Sequence, residues 1–173
     1  MKRIITLTVV NRSGVLNRIT GLFTKRHYNI ESITVGHTET AGVSRITFVV
    51  HVEGENDVEQ LTKQLNKQID VLKVTDITNQ SIVQRELVPL IKVVSAPSTR
   101  TEINGIIEPF RASVVDVSRD SIVVQVTGES NKIEALIELL KPYGVKEIAR
   151  TGTTAFARGT QQKASSNKTI SIV

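Results

Sequence analysis

The chain has 173 residues, 39% of which are hydrophobic, which allows one domain or two small ones. It has no cysteine, which excludes disulfides and thiolate metal sites and favours a cytoplasmic protein. Its formal net charge is +5, but Arg158, Lys163 and Lys168 supply +3 of this in a C-terminal tail without acids, and the remaining +2 over residues 1–157 is too small for a nucleic-acid-binding surface. No stretch approaches the roughly 20 consecutive apolar residues of a membrane span, so we expect neither nucleic acid nor a membrane as a partner.

The first 78 residues predict the element order βαββαβ. Residues 3–10 have the composition of a central strand, and an amphipathic helix follows, with its apolar positions spaced as one buried face: Val15, Leu16, Ile19, Leu22 and Phe23. Two strands are predicted next, over residues 30–36 and 44–52. Asn56 and Glu59 have the spacing of a capping box that opens a second helix, and residues 71–78 form the closing strand.

The strand at residues 44–52 alternates strictly between apolar and mostly polar positions. One face carries Ile46, Phe48, Val50 and Val52, and the other carries Arg45, Thr47, Val49 and His51. Since successive side chains of a strand point to opposite faces, we expect the first set to be inward and the second to be outward.

The second half of the chain repeats this order. A strand over residues 82–95 is interrupted by Pro89, helices begin near Thr99 and Asn131, a hairpin covers residues 113–126, and the last strand is at 145–150. We therefore predict an α+β protein of two tandem ferredoxin-like βαββαβ domains, at residues 1–78 and 79–159. Residues 160–173 lack periodicity and are expected to be a disordered tail.

Residues 11–36 contain two features that indicate a ligand. Gly14 keeps side-chain bulk away from a helix N-terminus, where N–H groups and the helix dipole favour a carboxylate. Asn29 places an amide, both donor and acceptor, at the start of the next strand. Structural alternatives remain for each position: Gly14 as a loop glycine with positive φ, Asn11 or Ser13 as a helix cap, and Asn29 as a turn residue.

The strand at residues 30–36 is predicted to lie on a sheet edge, because βαββαβ sheets usually have the strand order 4-1-3-2. It has no proline and one acid, Glu31, so little discourages pairing with another chain. A loop or the second domain could cover this edge. We favour pairing with a second copy about a two-fold axis, which brings Asn29 and Ile30 of one copy towards the loop before the first helix of the other.

The segment NRSGVLNRITGLFTKRHYNIESITVG, followed by SRITFVV, resembles the ACT domain of the acetohydroxyacid (acetolactate) synthase small subunit. The similarity extends through FRASVVDVS and RTGTTAFARG in the second half, and covers residues 1–159. The resemblance does not extend to the tail after Gly159.

The resemblance implies a non-catalytic regulatory subunit in branched-chain amino acid biosynthesis. Its partner is a large subunit that uses thiamine diphosphate, FAD and magnesium to condense pyruvate into acetolactate, and no cofactor is expected on this chain. The small subunit raises that activity and confers feedback inhibition by valine bound between paired ACT domains. The family's effector-site motif matches Asn11, Gly14, Val15, Leu16, Asn29 and Ile30, and Gly36 stands where a small residue is usual.

Other functions have less support in the residues. His27, His37 and His51 lie on different elements without metal-ligand spacing, and no nucleophile-elbow, P-loop or dinucleotide-binding pattern occurs. An RNA-binding ferredoxin-like module needs aromatic residues on the open sheet face, where this sequence has none. An amino-acid-sensing ACT regulator of a different enzyme remains the alternative, because a ligand site does not identify the partner.

Overall fold

The computed structural model describes residues 1–79, 82–86 and 89–157. In this part of the chain the backbone forms two four-stranded antiparallel sheets and one two-stranded ribbon. Each four-stranded sheet carries two helices that supply its core, so the predicted tandem of ferredoxin-like domains is confirmed.

The first sheet follows the predicted order of elements. These are β1 (Lys2–Val10), α1 (Val15–Lys25), β2 (Asn29–His37), β3 (Val43–His51), α2 (Glu55–Asn66) and β4 (Val71–Asp76). The strand order is β2-β3-β1-β4, so β2 lies on the edge as predicted. The second helix begins one residue before the predicted cap, because Gly54 is the N-cap and donates its backbone N–H to Asp57 Oδ2 at 3.1 Å.

The core of the first domain lies between this sheet and its two helices. The inward face of β3 packs against the apolar stripe of α1, with the rings of Phe48 and Phe23 at a centroid distance of 4.7 Å. Leu61 and Leu65 of α2 complete the buried cluster. The apolar face of β3, which repeats every 2 residues, and the apolar stripe of α1, which repeats every 3.6 residues, therefore pack against each other in one apolar layer.

The second sheet repeats the arrangement. Its elements and those of the ribbon are β5 (Ile82–Glu86), β6 (Leu90–Val94), α3 (Arg100–Ile107), β7 (Ser113–Val117), β8 (Ser121–Gln125), α4 (Ser130–Leu140), β9 (Val145–Ala149) and β10 (Thr153–Ala157), with short 3-10 turns at Glu108–Phe110 and Lys141–Tyr143. The strand order is β7-β8-β6-β9, and a separate apolar core lies between this sheet and α3 and α4.

The ribbon departs from the sequence-based prediction. The interruption predicted at Pro89, which cannot donate a ladder hydrogen bond, lies between β5 and β6 as expected. What was not predicted is that β5 pairs with β10 and is not part of the second sheet. The strand β10 was not predicted, because the prediction ended with the strand at residues 145–150, which is confirmed as β9.

This ribbon covers the outer face of the first sheet. Val49 is 0% exposed and clusters with Ile4, Ile77 and Ala155, and Thr47 is also buried. The alternation on β3 was predicted correctly, because Val49 lies on the face opposite Phe48. This outer face is buried rather than exposed to solvent at Thr47 and Val49, because a strand distant in sequence packs on it.

The described residues contain no helix long and apolar enough to cross a membrane. The boundary predicted at residue 78 stays a prediction, and the predicted tail at 160–173 lies outside the described residues.

Candidate functional site

The loop between β1 and α1 ends in a left-handed residue. Gly14 has φ +83° and is the N-cap of α1, and its carbonyl accepts the N–H of Arg18 at 3.0 Å. No side chain caps this helix and its first turn has no acid, so the prediction that Ser13 could be the cap is wrong. The Val15 N–H donates to the carbonyl oxygen of Arg12 at 3.4 Å. Within the described residues the N–H groups of Leu16 and Asn17 are therefore the ones available to an anion, and the helix dipole favours one there.

Two arginines flank this helix start and share one buried carboxylate. Arg12 Nε lies 3.1 Å from Asp70 Oδ1, and Arg18 Nη2 pairs with Asp70 Oδ2. The side chain of Asp70 is 4% exposed, whereas about half or more of each arginine is exposed. With two cations and one anion, the cluster keeps a positive surplus beside the N-terminus of α1.

This cluster was missed in the sequence. Arg18 and its partner Asp70 lie 52 residues apart in the sequence. Asp70 stands alone before β4 without a periodic signal, so only the tertiary structure identifies it.

Asn11 and Gly36 lie at the same end of the sheet as Gly14. Asn11 Nδ2 is 3.4 Å from His37 Nδ1 at the end of β2, and the Asn11 backbone N–H donates to Gly42 O at 2.8 Å. A Cβ added to Gly36 would meet nothing within 4 Å, so the space beside it is open.

The two hydrophobic positions that follow Gly14 have different environments. Val15 is buried in the core of the first domain, whereas Leu16 is 42% exposed. Leu16 can therefore form the apolar wall of a site at this end, while Val15 supports it from the core.

Asn29 and Ile30 lie at the opposite end of β2 in the same chain. Asn29 is opposite His51 in the register, and His37 is opposite Ser44. At roughly 3.3 Å per residue, the length of β2 separates these ends by about 25 Å. One chain therefore brings together Asn11, Gly14, Leu16 and Gly36, and does not bring Asn29 or Ile30 to them.

The edge strand β2 is bordered by the turn between β9 and β10. The backbone N–H of Thr153 donates to Ser32 Oγ at 3.4 Å, and a cavity of about 410 Å³ is lined by residues 31–33 and 150–153. The turn thus contacts side chains on the outer face of β2, since Ser32 and Thr34 lie opposite Val49 and Thr47 in the register. In the portion of the chain that the structure describes, β2 has a ladder partner on one side, β3.

The described residues contain no group of three or more His, Asp or Glu side chains that could hold a metal ion. The chemistry that this end of the sheet offers is recognition: N–H donors, a positive surplus, amide groups and one apolar wall.

Two family models match the chain. The model of the AHAS (acetohydroxyacid synthase) small subunit-like ACT domain matches residues 5–73, and the model of the small subunit of acetolactate synthase matches residues 85–159. Together they cover both domains.

The chain is similar in full length to proteins of this family. It is 98% identical to the acetolactate synthase small subunit of Bacillus subtilis, over 100% of both chains. It is 50% identical to the probable acetolactate synthase small subunit of Archaeoglobus fulgidus, covering 94% of this chain and 100% of that protein. The crystal structure of the acetolactate synthase small subunit from Thermotoga maritima matches with a TM-score of 0.84 and 38% identity, over 93% of this chain and 99% of that one.

Proposed function

The chain belongs to the acetolactate synthase small-subunit family, and we propose that it binds valine between two paired ACT domains and thereby controls the catalytic large subunit. In the absence of valine it raises the activity of that subunit, and valine binding reverses this effect. The proposal rests on one observation: the residues that match the family's effector-site motif lie at both ends of the edge strand β2, with Gly14 near one end and Asn29 at the other.

A two-fold axis between two copies would bring one end of β2 in one copy next to the other end of β2 in the second copy. If two β2 strands lie antiparallel about an axis near Ile33, Asn29 of one copy comes opposite His37 of the other, and Ile30 comes opposite Gly36. Asn29 and Ile30 then face the partner copy's Asn11 and Gly14. Two equal clefts result, each built from both copies, as an isologous interface requires.

Such a cleft fits a small branched-chain amino acid. The carboxylate meets the N–H groups that follow Gly14, where the helix dipole and the positive surplus of the Asp70 cluster favour an anion. The amides of Asn11 and Asn29 fix the polar groups of the ligand. The isopropyl group meets Leu16 and Ile30, and the open space beside Gly36 leaves room for it.

Control of the partner requires that valine distinguish two arrangements of the dimer. A ligand shifts an equilibrium only by its difference in affinity for the two states. A ligand held between two copies meets this condition, because a change in their packing alters its contacts. The large subunit is expected to carry thiamine diphosphate, FAD and magnesium, and the complex is expected to act in the cytoplasm.

Calorimetric titration of the isolated chain with valine tests the ligand, and co-purification with the large subunit tests the partner. We expect saturable binding of valine, and valine inhibition of the pyruvate-condensing activity of the reconstituted complex. Absence of binding would reject the valine site. Binding without association with the large subunit would favour a regulator of a different enzyme.

Mixing two inactive variants tests whether the cleft is shared between copies. Asn11→Ala and Asn29→Ala should each lose valine binding as homodimers. Co-refolded at equal amounts, they should regain about a quarter of the wild-type sites, because half of the dimers are mixed and each mixed dimer has one intact cleft. Calorimetry gives the number of sites, and light scattering should give a dimer for every sample. No recovery on mixing would place both asparagines in one chain's site and contradict the proposal.

A further inference from the structure

The turn between β9 and β10 contacts both domains. At one end Arg150 Nη1 donates to Glu134 Oε1 on α4 at 2.5 Å, and this hydrogen bond lowers the pKa of the Glu134 carboxyl below its usual value. The pair is thus ionised at neutral pH and binds the turn to the second domain. At the other end Gly152 packs on β2 of the first domain.

Gly152 approaches β2 more closely than any other residue type permits. A Cβ added there would lie 2.5 Å from Thr34 Oγ1 and 2.6 Å from the carbonyl oxygen of Ile33. Because the second of these atoms is backbone, a side chain could be accommodated only if the turn moved away from the strand. The hydrogen bond from Thr153 to Ser32 places the contact on three successive residues of β2.

The surface beneath the ribbon combines a small apolar cluster around Val49 and Ala155 with polar groups that are incompletely hydrogen-bonded. Arg45 Nε, Thr34 Oγ1 and Thr154 Oγ1 are buried where β10 meets the first sheet, and within the described residues none has a hydrogen-bond partner. A buried polar group left unpaired costs about 1–3 kcal/mol. The helix-facing side of the same sheet is instead an apolar layer. Among the described residues the apolar cluster under the ribbon has four members and the helix-facing core has thirteen, so the contact between ribbon and sheet is the less extensive of the two and the better able to shift.

We propose that the turn at residues 150–152, with β10, is the link through which the packing of β2 positions the second domain. This inference rests on the proposed function, in which two β2 strands meet near Ile33. A change in their packing displaces Gly152, the ribbon shifts over the first sheet, and Arg150 carries the displacement to α4. Valine bound at the ends of β2 thus changes the position of the second domain without contacting that domain.

Gly152→Ala tests this link, with Gly105→Ala as the matched control, because a Cβ at Gly105 meets nothing within 4 Å. For Gly152→Ala we expect a dimer with valine affinity within about threefold of wild type, and a loss of coupling between valine binding and inhibition of at least about fivefold in the reconstituted complex. Light scattering measures the oligomeric state, calorimetry measures the valine affinity, and a valine titration of activity measures the inhibition. Gly105→Ala should match wild type in each.

Inhibition of the Gly152→Ala complex equal to wild type would overturn the inference, and so would a loss of inhibition fully explained by weaker binding. Failure of the wild-type chain to bind valine is a different result, and it would overturn the proposed function itself.

A disulfide provides a second test that does not depend on the folding of Gly152→Ala. The chain contains no cysteine, so Ser32→Cys with Thr153→Cys introduces one thiol pair, at two residues that the hydrogen bond from the Thr153 backbone N–H to Ser32 Oγ brings together. Oxidation fixes the ribbon on β2, and valine should then bind without inhibiting, whereas reduction should restore inhibition. The wild-type complex under both conditions controls for thiols of the large subunit. Equal inhibition in the oxidised and reduced states would contradict the link.

Discussion

Gly14→Asp is expected to abolish valine inhibition of the reconstituted enzyme while activation of the large subunit survives. The new carboxylate would stand at the start of α1, where the effector's carboxylate is proposed to bind, and Arg18 Nη1 lies 3.5 Å from the position of its Cβ. Two like charges in one small site cost several kcal/mol, so valine affinity should fall by about 100-fold or more. A valine titration of activity, with calorimetry of the isolated variant, measures the loss.

Gly14→Asn is the matched control for charge. Asn and Asp have nearly equal volume, and both tolerate the left-handed conformation at φ +83° better than other residues with a Cβ. The neutral variant should therefore fold equally well and lose only about tenfold in affinity through crowding. Full valine inhibition of Gly14→Asp would reject the site, and equal losses in both variants would assign the effect to bulk and reject the charge argument.

Phe48→Ala should produce the largest loss of stability among these variants. Phe48 is fully buried at the centre of the first domain, against the ring of Phe23. Removal of a buried phenylalanine side chain costs about 3–5 kcal/mol, because apolar contacts are lost and a cavity remains. Urea unfolding of the full chain, followed by circular dichroism, should show this decrease in the free energy of unfolding.

Phe156→Ala is the control for the removal of an aromatic side chain. Phe156 is 51% exposed, and its ring lies 4.5 Å beneath the guanidinium of Arg45. Loss of this exposed cation–π contact should cost about 1 kcal/mol or less. A loss below about 1.5 kcal/mol for Phe48→Ala would contradict the core assignment, and equal losses for the two variants would show that burial does not separate them.

Much of the fold could be read directly from the sequence. The apolar stripe of α1 and the alternation of β3 are local patterns, and each correctly identifies the face that enters the core. The repeated βαββαβ order follows from such patterns, and the strand order that places β2 on an edge follows from the fold class. The family resemblance depended on a contiguous motif, which needs no knowledge of distant contacts.

The effector residues stay a prediction, although the local conformation agrees with part of the argument. A loop glycine with positive φ was one of the alternatives for Gly14, and the structure confirms the positive φ. An uncapped helix start is compatible with the ligand role as well. The assignment of Ser13 as a cap was wrong, because the identity of a polar residue before a helix does not state where its side chain points.

The sequence alone determined which segments form helices and strands, which of their faces are apolar, and to which family the motif is similar, because all of these depend on neighbouring residues. Only the tertiary structure decided that β5 and β10 form a ribbon over the first sheet, that Asp70 joins Arg12 to Arg18, and that Gly152 lies against Ile33. Each of these contacts joins residues more than 50 positions apart, and it is set by how whole elements pack. No spacing along the chain encodes such a contact.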